Sequence, residues 1–129
     1  MSVLVLQPGN RAQLSQWLDA GDWVVACLCA AWCDTCRAYR DTLDELAARH
    51  PDKRFVWIDI EDEADVVGDI DVENFPTLLM QRGDTVAFFG TILPEMKLAD
   101  RLIQAQTAGD PKAAAGSEDF NLRLRLAEA

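Results

Sequence analysis

The sequence predicts a three-layer α/β/α fold in which a central mixed β-sheet lies between helices. The first observation is a nearly unbroken apolar run with β-branched residues, Trp23 to Ala30, which is typical of a strand buried on both faces. The second is the helical periodicity that follows this run, with apolar residues at steps of three and four. The third is a pair of apolar segments joined by Arg82-Gly83-Asp84, which predicts a closing β-hairpin.

Length and charge exclude several classes of protein. The 129 residues, half of them apolar, are enough for one domain with a substantial core. A net charge of −10 argues against nucleic-acid binding, because phosphate contacts need clustered Lys and Arg. No apolar run approaches membrane-spanning length, and residues 1–10 lack the features of a signal peptide. We therefore expect a cytoplasmic protein that does not bind membranes.

The first half of the chain is expected to contain two strands, each followed by a helix. Ser2 to Leu6 is a short apolar run, and Asn10 can cap the helix after it. The buried strand follows, and Pro51 ends the next helix after Arg49 or His50. The predicted inner faces are Leu14, Trp17 and Leu18 in the first helix and Cys36, Tyr39, Leu43 and Leu46 in the second.

The second half begins with another buried strand, Arg54 to Ile60. The acidic segment from Glu61 to Asp71 is expected to be a short exposed helix with a solvated face. A hairpin then joins a strand that starts at Pro76 to residues 85–89, closed by Gly90, and a last helix begins at Pro94-Glu95. The inward-facing candidates are Val66, Val67 and Ile70 in the acidic helix and Leu98, Leu102 and Ile103 in the last one.

All four cysteines lie between Ala26 and Cys36, and the last two form a C-x-x-C pair where the buried strand gives way to a helix. The unpaired N–H groups of a helix's first turn favour negative charge and so stabilise a thiolate nucleophile. The i, i+3 spacing puts Cys33 and Cys36 close enough for a disulfide to form and break. Attack by one thiolate and resolution by the other is thiol–disulfide exchange.

Two other interpretations of the cysteines remain open. The pair could be buried packing residues, because a free cysteine behaves as a small hydrophobe. Zinc or iron–sulfur binding by all four would require Cys27 and Cys29, which alternate on one strand, to face the same point as the helix pair. No second C-x-x-C exists, so we expect no metal and no cofactor.

Ala31-Trp32-Cys33-x-x-Cys36, together with Phe75-Pro76-Thr77 about forty residues later, resembles the thioredoxin family. The resemblance covers roughly residues 2 to 106 and implies the thioredoxin fold. It implies that Cys33 is the exposed nucleophile and Cys36 the buried resolving thiol.

The resemblance also implies a surface for an extended substrate segment. Pro76 would be preceded by a cis peptide bond and face the disulfide, and the backbone of Phe75 would bind the substrate. Trp32 and Gly90 would line the same surface.

The sequence departs from the family pattern at four positions. Asp34-Thr35 replaces the usual Gly-Pro between the cysteines, and a carboxylate there opposes thiolate formation. Cys27 stands where thioredoxins have a buried aspartate that relays protons, and Trp57 stands where they have its lysine partner. These residues would modulate the reaction, and the resemblance therefore points to a thioredoxin-like protein and not a general-purpose thioredoxin.

Three hypotheses for function follow. The first is a thiol–disulfide oxidoreductase that exchanges disulfides with protein substrates through Cys33 and Cys36, served by a disulfide reductase. The second is a non-enzymatic module of the same fold that binds an extended peptide or assembles with a partner. The third is a metal-binding or redox-sensing module that also uses Cys27 and Cys29.

The last part of the chain predicts an addition to the domain formed by residues 1–106. Residues 107–117 have the composition of a flexible linker. In residues 118–129, Phe120, Leu122, Leu124 and Leu126 alternate with polar residues or alanine, which is the period of a strand. We expect this tail to pair as an extra strand on its own sheet edge or on a neighbour's, which would make a homodimer.

Overall fold

A computed structural model of the protein describes residues 3–30, 33–67, 76–92, 95–108 and 120–128. Its sheet contains the strands β1 (Leu4–Val5), β2 (Trp23–Cys29), β3 (Arg54–Asp59), β4 (Thr77–Arg82) and β5 (Thr85–Thr91). Its α-helices are α1 (Arg11–Asp19), α2 (Asp34–Arg49), α3 (Ala64–Val67), α4 (Met96–Gln106) and α5 (Leu122–Glu128). A 3₁₀ turn, Pro8–Asn10, precedes α1.

The strands form one mixed sheet in the order β1-β3-β2-β4-β5. Strand β3 pairs in parallel with β1 and β2, whereas β4 is antiparallel to both β2 and β5. The parallel connections come first and the hairpin last, so the predicted order of strands and helices is confirmed, as is the α/β/α fold. Gly83 makes the hairpin turn with φ +58°, a conformation that glycine adopts without steric cost.

The alternation of side chains along the fully buried strand β2 divides the core in two. On one face, which we call the cysteine face, Cys27 and Cys29 lie under α2 and α4. On the opposite face, the tail face, Val24, Ala26 and Leu28 lie under α1, α3 and α5. Both faces of β2 are buried, which explains the continuous apolar run in its sequence.

The predicted inner faces of α1 and α2 are confirmed, with Trp17 half-buried and the other residues fully buried. Asn10 precedes α1 but does not cap it. Its side-chain oxygen accepts a hydrogen bond from Gln7 N at 2.7 Å, and its amide donates to Val5 O at 2.8 Å. The side chain is therefore used to fasten the turn before the helix.

Leu98 was expected to face the core, but it is 43% exposed. Ala99 and Ile103 are the fully buried residues of α4, which places Leu98 at the margin of the buried stripe. Gly90 does not close β5, because the strand continues to Thr91 and Gly90 pairs with Leu78 inside it.

The acidic segment is not solvated throughout. Glu63 is 1% exposed and forms an ion pair with Arg11, whose Nε lies 2.9 Å from Oε1. Val66 and Val67 are buried as predicted, whereas Ile70 lies outside the described residues.

The prediction of an extra C-terminal strand is wrong, because residues 122–128 form the helix α5 on the tail face of their own chain. Leu122 is fully buried, Leu126 is partly buried, and Leu124 is 56% exposed, as a helical period requires. Most of the predicted linker lies outside the described residues.

Candidate active site

The C-x-x-C pair lies at the start of α2, as predicted. Cys33 is the residue just before the helix, and its carbonyl accepts the first helical hydrogen bond, from Arg37 N, at 3.1 Å. Cys33 is partly exposed, whereas Cys36 in the first turn is fully buried against the sheet. The exposed and inward positions expected of the two cysteines are therefore present.

The structure does not bond these two cysteines to each other. The disulfide joins Cys36 to Cys29, with their Cα atoms 5.7 Å apart, and Cys33 keeps a free thiol. This partner differs from the predicted Cys33–Cys36 pairing. Cys29 is the last residue of β2 and points to the cysteine face, directly where Cys36 turns inward from α2.

The C-x-x-C motif does not predict the bond to Cys29, because it identifies only the two cysteines that are three residues apart. The signal that could have found it was already present in the strand alternation. Odd-numbered residues of β2 face α2, and Cys36 lies on the inner face of that helix. Cys29 and Cys36 therefore face each other across the core.

Cys27 lies two residues before Cys29 and faces the same side of β2. Its sulfur is 3.7 Å from that of Cys29, and because only Cys27 carries a hydrogen it is the donor. Cys27 is fully buried, and this burial raises the pKa of its thiol far above the ordinary value. Cys27 is therefore a neutral thiol in the folded protein at physiological pH.

Trp57 is the partner of Cys27 in the parallel register between β2 and β3. The guanidinium of Arg40 lies 5.2 Å from the centre of the Trp57 ring, within range of a cation–π interaction. The buried tyrosine Tyr39 lies on the same face, and burial followed by the nearby Cys27 raises the pKa of its hydroxyl. Cys27 therefore has aromatic neighbours on this side of the sheet, and the charge of Arg40 lowers the pKa of its thiol by less than burial raises it.

The two residues between the cysteines of the motif are both exposed. Asp34 forms an ion pair with Arg37, one turn further along α2. The guanidinium therefore offsets part of the negative charge that Asp34 places beside Cys33. Thr35, the next residue, is exposed to solvent.

Pro76 and Gly90, two of the predicted substrate-surface residues, lie at one end of the β4–β5 hairpin. Pro76 is buried, and its carbonyl accepts a hydrogen bond from Ile92 N at 3.1 Å. Leu28 pairs with Thr77 between β2 and β4, so continuing that register by one residue places Pro76 beside Cys29. Trp32, Phe75 and the peptide bond before Pro76 lie outside the described residues, and their predicted roles stay predictions.

Within the residues that the structure describes, no group of three or more His, Cys, Asp or Glu could hold a metal ion. Among the helices in those ranges, none has the length and apolarity that crossing a membrane demands.

Residues 7–104 match the family model for thioredoxin. The chain belongs to the thioredoxin family. It is similar to a thioredoxin H-type of Picea mariana, at 31% identity over 71 residues that cover 55% of this chain and 57% of that protein. It is also similar to thioredoxin-2 of Saccharomyces cerevisiae, at 27% identity over 81 residues that cover 62% of this chain and 78% of the yeast protein.

Solved structures of thioredoxins show the same fold. The thioredoxin NaTrxh from Nicotiana alata superposes with a TM-score of 0.68 at 22% identity and covers 80% of this chain and 90% of its own. A wild-type poplar thioredoxin h gives a TM-score of 0.68 at 21% identity, covering 84% and 99%. The chain spans less than two thirds of the length of two plant relatives, 59% of one from Arabidopsis thaliana and 57% of the one from Picea mariana.

Proposed function

We propose that this thioredoxin-family chain is a thiol–disulfide oxidoreductase that acts on protein disulfides. The observation that carries the proposal is a free, partly exposed cysteine at the start of α2, three residues before the cysteine that forms a buried disulfide. An accessible thiol beside a buried, exchangeable bond is the arrangement that thiol–disulfide exchange requires.

In the reducing direction, the Cys33 thiolate attacks one sulfur of a substrate disulfide. A bond forms between Cys33 and that sulfur, and the other substrate sulfur leaves as a thiolate that takes a proton from solvent. Cys36 takes part as a thiol, after the proposed disulfide reductase has reduced its bond to Cys29. It loses its proton to solvent and attacks the sulfur of Cys33, which releases the first substrate sulfur as a thiolate and leaves the protein oxidised by two electrons. Cys33 lies immediately before α2 and Cys36 lies in its first turn, where backbone N–H groups stabilise the thiolates that form.

The end of the β4–β5 hairpin supports a substrate surface beside this pair. Pro76 directly precedes β4, whose first residue, Thr77, pairs with Leu28 next to Cys29, and Gly90 lies on β5 at the same end. Trp32 and Phe75 are the other proposed members of this surface. A disulfide reductase as electron donor and a cytoplasmic location belong to the same proposal.

Reduction of insulin by dithiothreitol tests the activity. We expect Cys33→Ser to lower the rate to that of dithiothreitol alone, because no accessible nucleophile remains. Ala38→Ser adds the same hydroxyl at an exposed position of α2 and serves as the control, with an unchanged rate. If the wild-type protein does not exceed the background rate, the non-enzymatic binding module becomes the better hypothesis, and metal analysis of the purified protein tests the third one.

A further inference from the structure

We propose that Cys29 is a third redox-active cysteine, which takes over the disulfide from the Cys33–Cys36 pair and returns the Cys33 thiol to its free state. The inference rests on the proposed function and adds one step to it. Its basis is the position of three cysteines: Cys36 is bonded to Cys29, and Cys33 precedes Cys36 by three residues at the start of α2.

The step is an internal exchange that balances without any outside reagent. After substrate reduction the protein holds a Cys33–Cys36 disulfide. Cys29 attacks the sulfur of Cys36, so that the Cys29–Cys36 bond forms and the Cys33–Cys36 bond breaks. Cys33 leaves as a thiolate and gains the proton that Cys29 gives up, and the protein stays oxidised by two electrons throughout.

Burial makes the two oxidised forms chemically different. Cys29 and Cys36 are both 0% exposed, so an external thiol cannot reach the disulfide between them. Cys33, three residues before Cys36, is partly exposed. Cys33 is therefore the residue through which the buried disulfide is formed and reopened, and the oxidised protein still presents a nucleophile at its surface.

The exchange stops at Cys29. Cys27 is close enough to donate a hydrogen bond to Cys29, at 3.7 Å between the sulfurs. However, the structure leaves Cys27 as a free thiol outside the disulfide, which joins Cys29 to Cys36. Cys27 therefore provides the matched control, since it lies on the same strand and the same face with the same burial.

The first experiment maps the disulfide of the oxidised protein. The protein is reduced in denaturant, refolded, oxidised with glutathione disulfide, labelled with iodoacetamide and digested with chymotrypsin. Cleavage after Leu28, Trp32 and Tyr39 separates Cys29 from the peptide that carries Cys33 and Cys36. We expect the wild-type protein and Cys27→Ala to show a Cys29–Cys36 cross-link and a labelled Cys33.

In Cys29→Ala we expect the disulfide inside the Cys33–Cys36 peptide and no label on Cys33. The same Cys33–Cys36 bond as the main product in the wild-type protein would overturn the proposal. Insulin reduction is measured on the same samples. Activity that depends on Cys33 together with a Cys33–Cys36 product would leave the proposed function standing while removing Cys29 from it.

The second experiment tests the route and does not depend on the folding of Cys29→Ala. Reduced, refolded Cys33→Ser is mixed with glutathione disulfide, and the formation of the Cys29–Cys36 cross-link is followed with time. We expect it to form at least tenfold more slowly than in the wild-type protein, because the accessible entry residue is missing. Formation at the wild-type rate would show that the buried pair oxidises without Cys33 and would contradict the proposal.

Discussion

The cysteine face and the tail face of the same sheet are covered in different ways. On the cysteine face, α2 is fixed by apolar packing, by the covalent bond between Cys29 and Cys36, and at its end by the contact of His50 with Asp100 of α4, at 2.6 Å. On the tail face, α5 is fixed by polar groups buried among apolar ones. Gln81 of β4 is fully buried there and donates to Asn121 Oδ1 at 2.7 Å, while its own oxygen accepts from Leu122 N at 2.8 Å.

Asn121 is also the cap of α5. Its side-chain oxygen accepts hydrogen bonds from Arg123 N at 3.0 Å and Leu124 N at 3.4 Å, which satisfies two of the free N–H groups of the first turn. Phe120 stacks on Phe89 with ring centroids 3.9 Å apart. The comparison indicates that the cysteine face holds the exchangeable chemistry, whereas the tail face contributes stability.

The largest test of this division is Leu122→Ala. Leu122 is fully buried on the tail face, and emptying such a site typically lowers the free energy of unfolding by about 2–5 kcal/mol. Leu124→Ala, on the same helix but 56% exposed, should change it by less than about 0.5 kcal/mol. Chemical unfolding measures both, and insulin reduction per folded molecule should be unchanged. A loss of activity in folded Leu122→Ala would break the division between the faces.

The next effect concerns the buried amide pair. Gln81→Ala removes the partner of Leu122 N and one donor to Asn121, leaving buried polar groups unsatisfied. We expect the free energy of unfolding to fall by about 1–3 kcal/mol. Gln104→Ala is the control, because this glutamine bonds to Asp100 on the exposed surface of α4. Equal effects of the two substitutions in urea unfolding would show that the Gln81–Asn121 contact does not hold the tail.

The two faces also differ in how well the sequence predicted them. On the cysteine face the predictive sequence patterns are local, because the apolar run of β2 and the C-x-x-C pair lie close together in the sequence. The fold, the order of elements and the depth of Cys36 follow from these patterns. The bond to Cys29 does not, because it depends on where a strand and a helix meet in space, although strand alternation contained part of the information.

The tail was predicted wrongly because two periods competed over a short segment. Phe120, Leu122, Leu124 and Leu126 alternate, but the segment has no β-branched residue and consists largely of Leu, Arg, Ala and Glu, which favour helices. Asn121 supplied a cap signal as well. The decisive partner, Gln81, lies forty residues away, and a buried glutamine on a strand is invisible to periodicity.

The stability of the protein should also depend on pH through a residue of the cysteine face, Cys27. Burial raises the pKa of the Cys27 thiol above its ordinary value of 9.0, so the folded protein keeps the proton that the unfolded chain loses. Stability is therefore fully present below about pH 9 and falls as the pH rises above it, by up to about 1.4 kcal/mol per pH unit. Melting temperatures between pH 8 and 10.5 should fall less steeply in Cys27→Ala than in the wild-type protein. Parallel curves would contradict this prediction.

The smallest effect is expected at the rim of the tail face. Arg123 joins α5 to Asp19 at the end of α1, at 2.8 Å, and to Asp84 in the hairpin turn, at 3.2 Å. These carboxylates raise the pKa of Arg123, first through the hydrogen bond that Asp19 accepts from it and next through the charge of Asp84. All three side chains are exposed, so water and salt weaken the ion pairs, and Arg123→Met should lower the melting temperature less than Leu122→Ala or Gln81→Ala does. The difference in melting temperature between Arg123→Met and the wild-type protein should vanish at 1 M salt, where the Debye length is about 3 Å.

Arg101→Met, at an exposed position of α4, is the control for removal of one positive charge from this acidic protein. A shift as large as that of Leu122→Ala, or one that persists at high salt, would mean that charge and not the buried contacts of Leu122 and Gln81 holds α5 on the sheet.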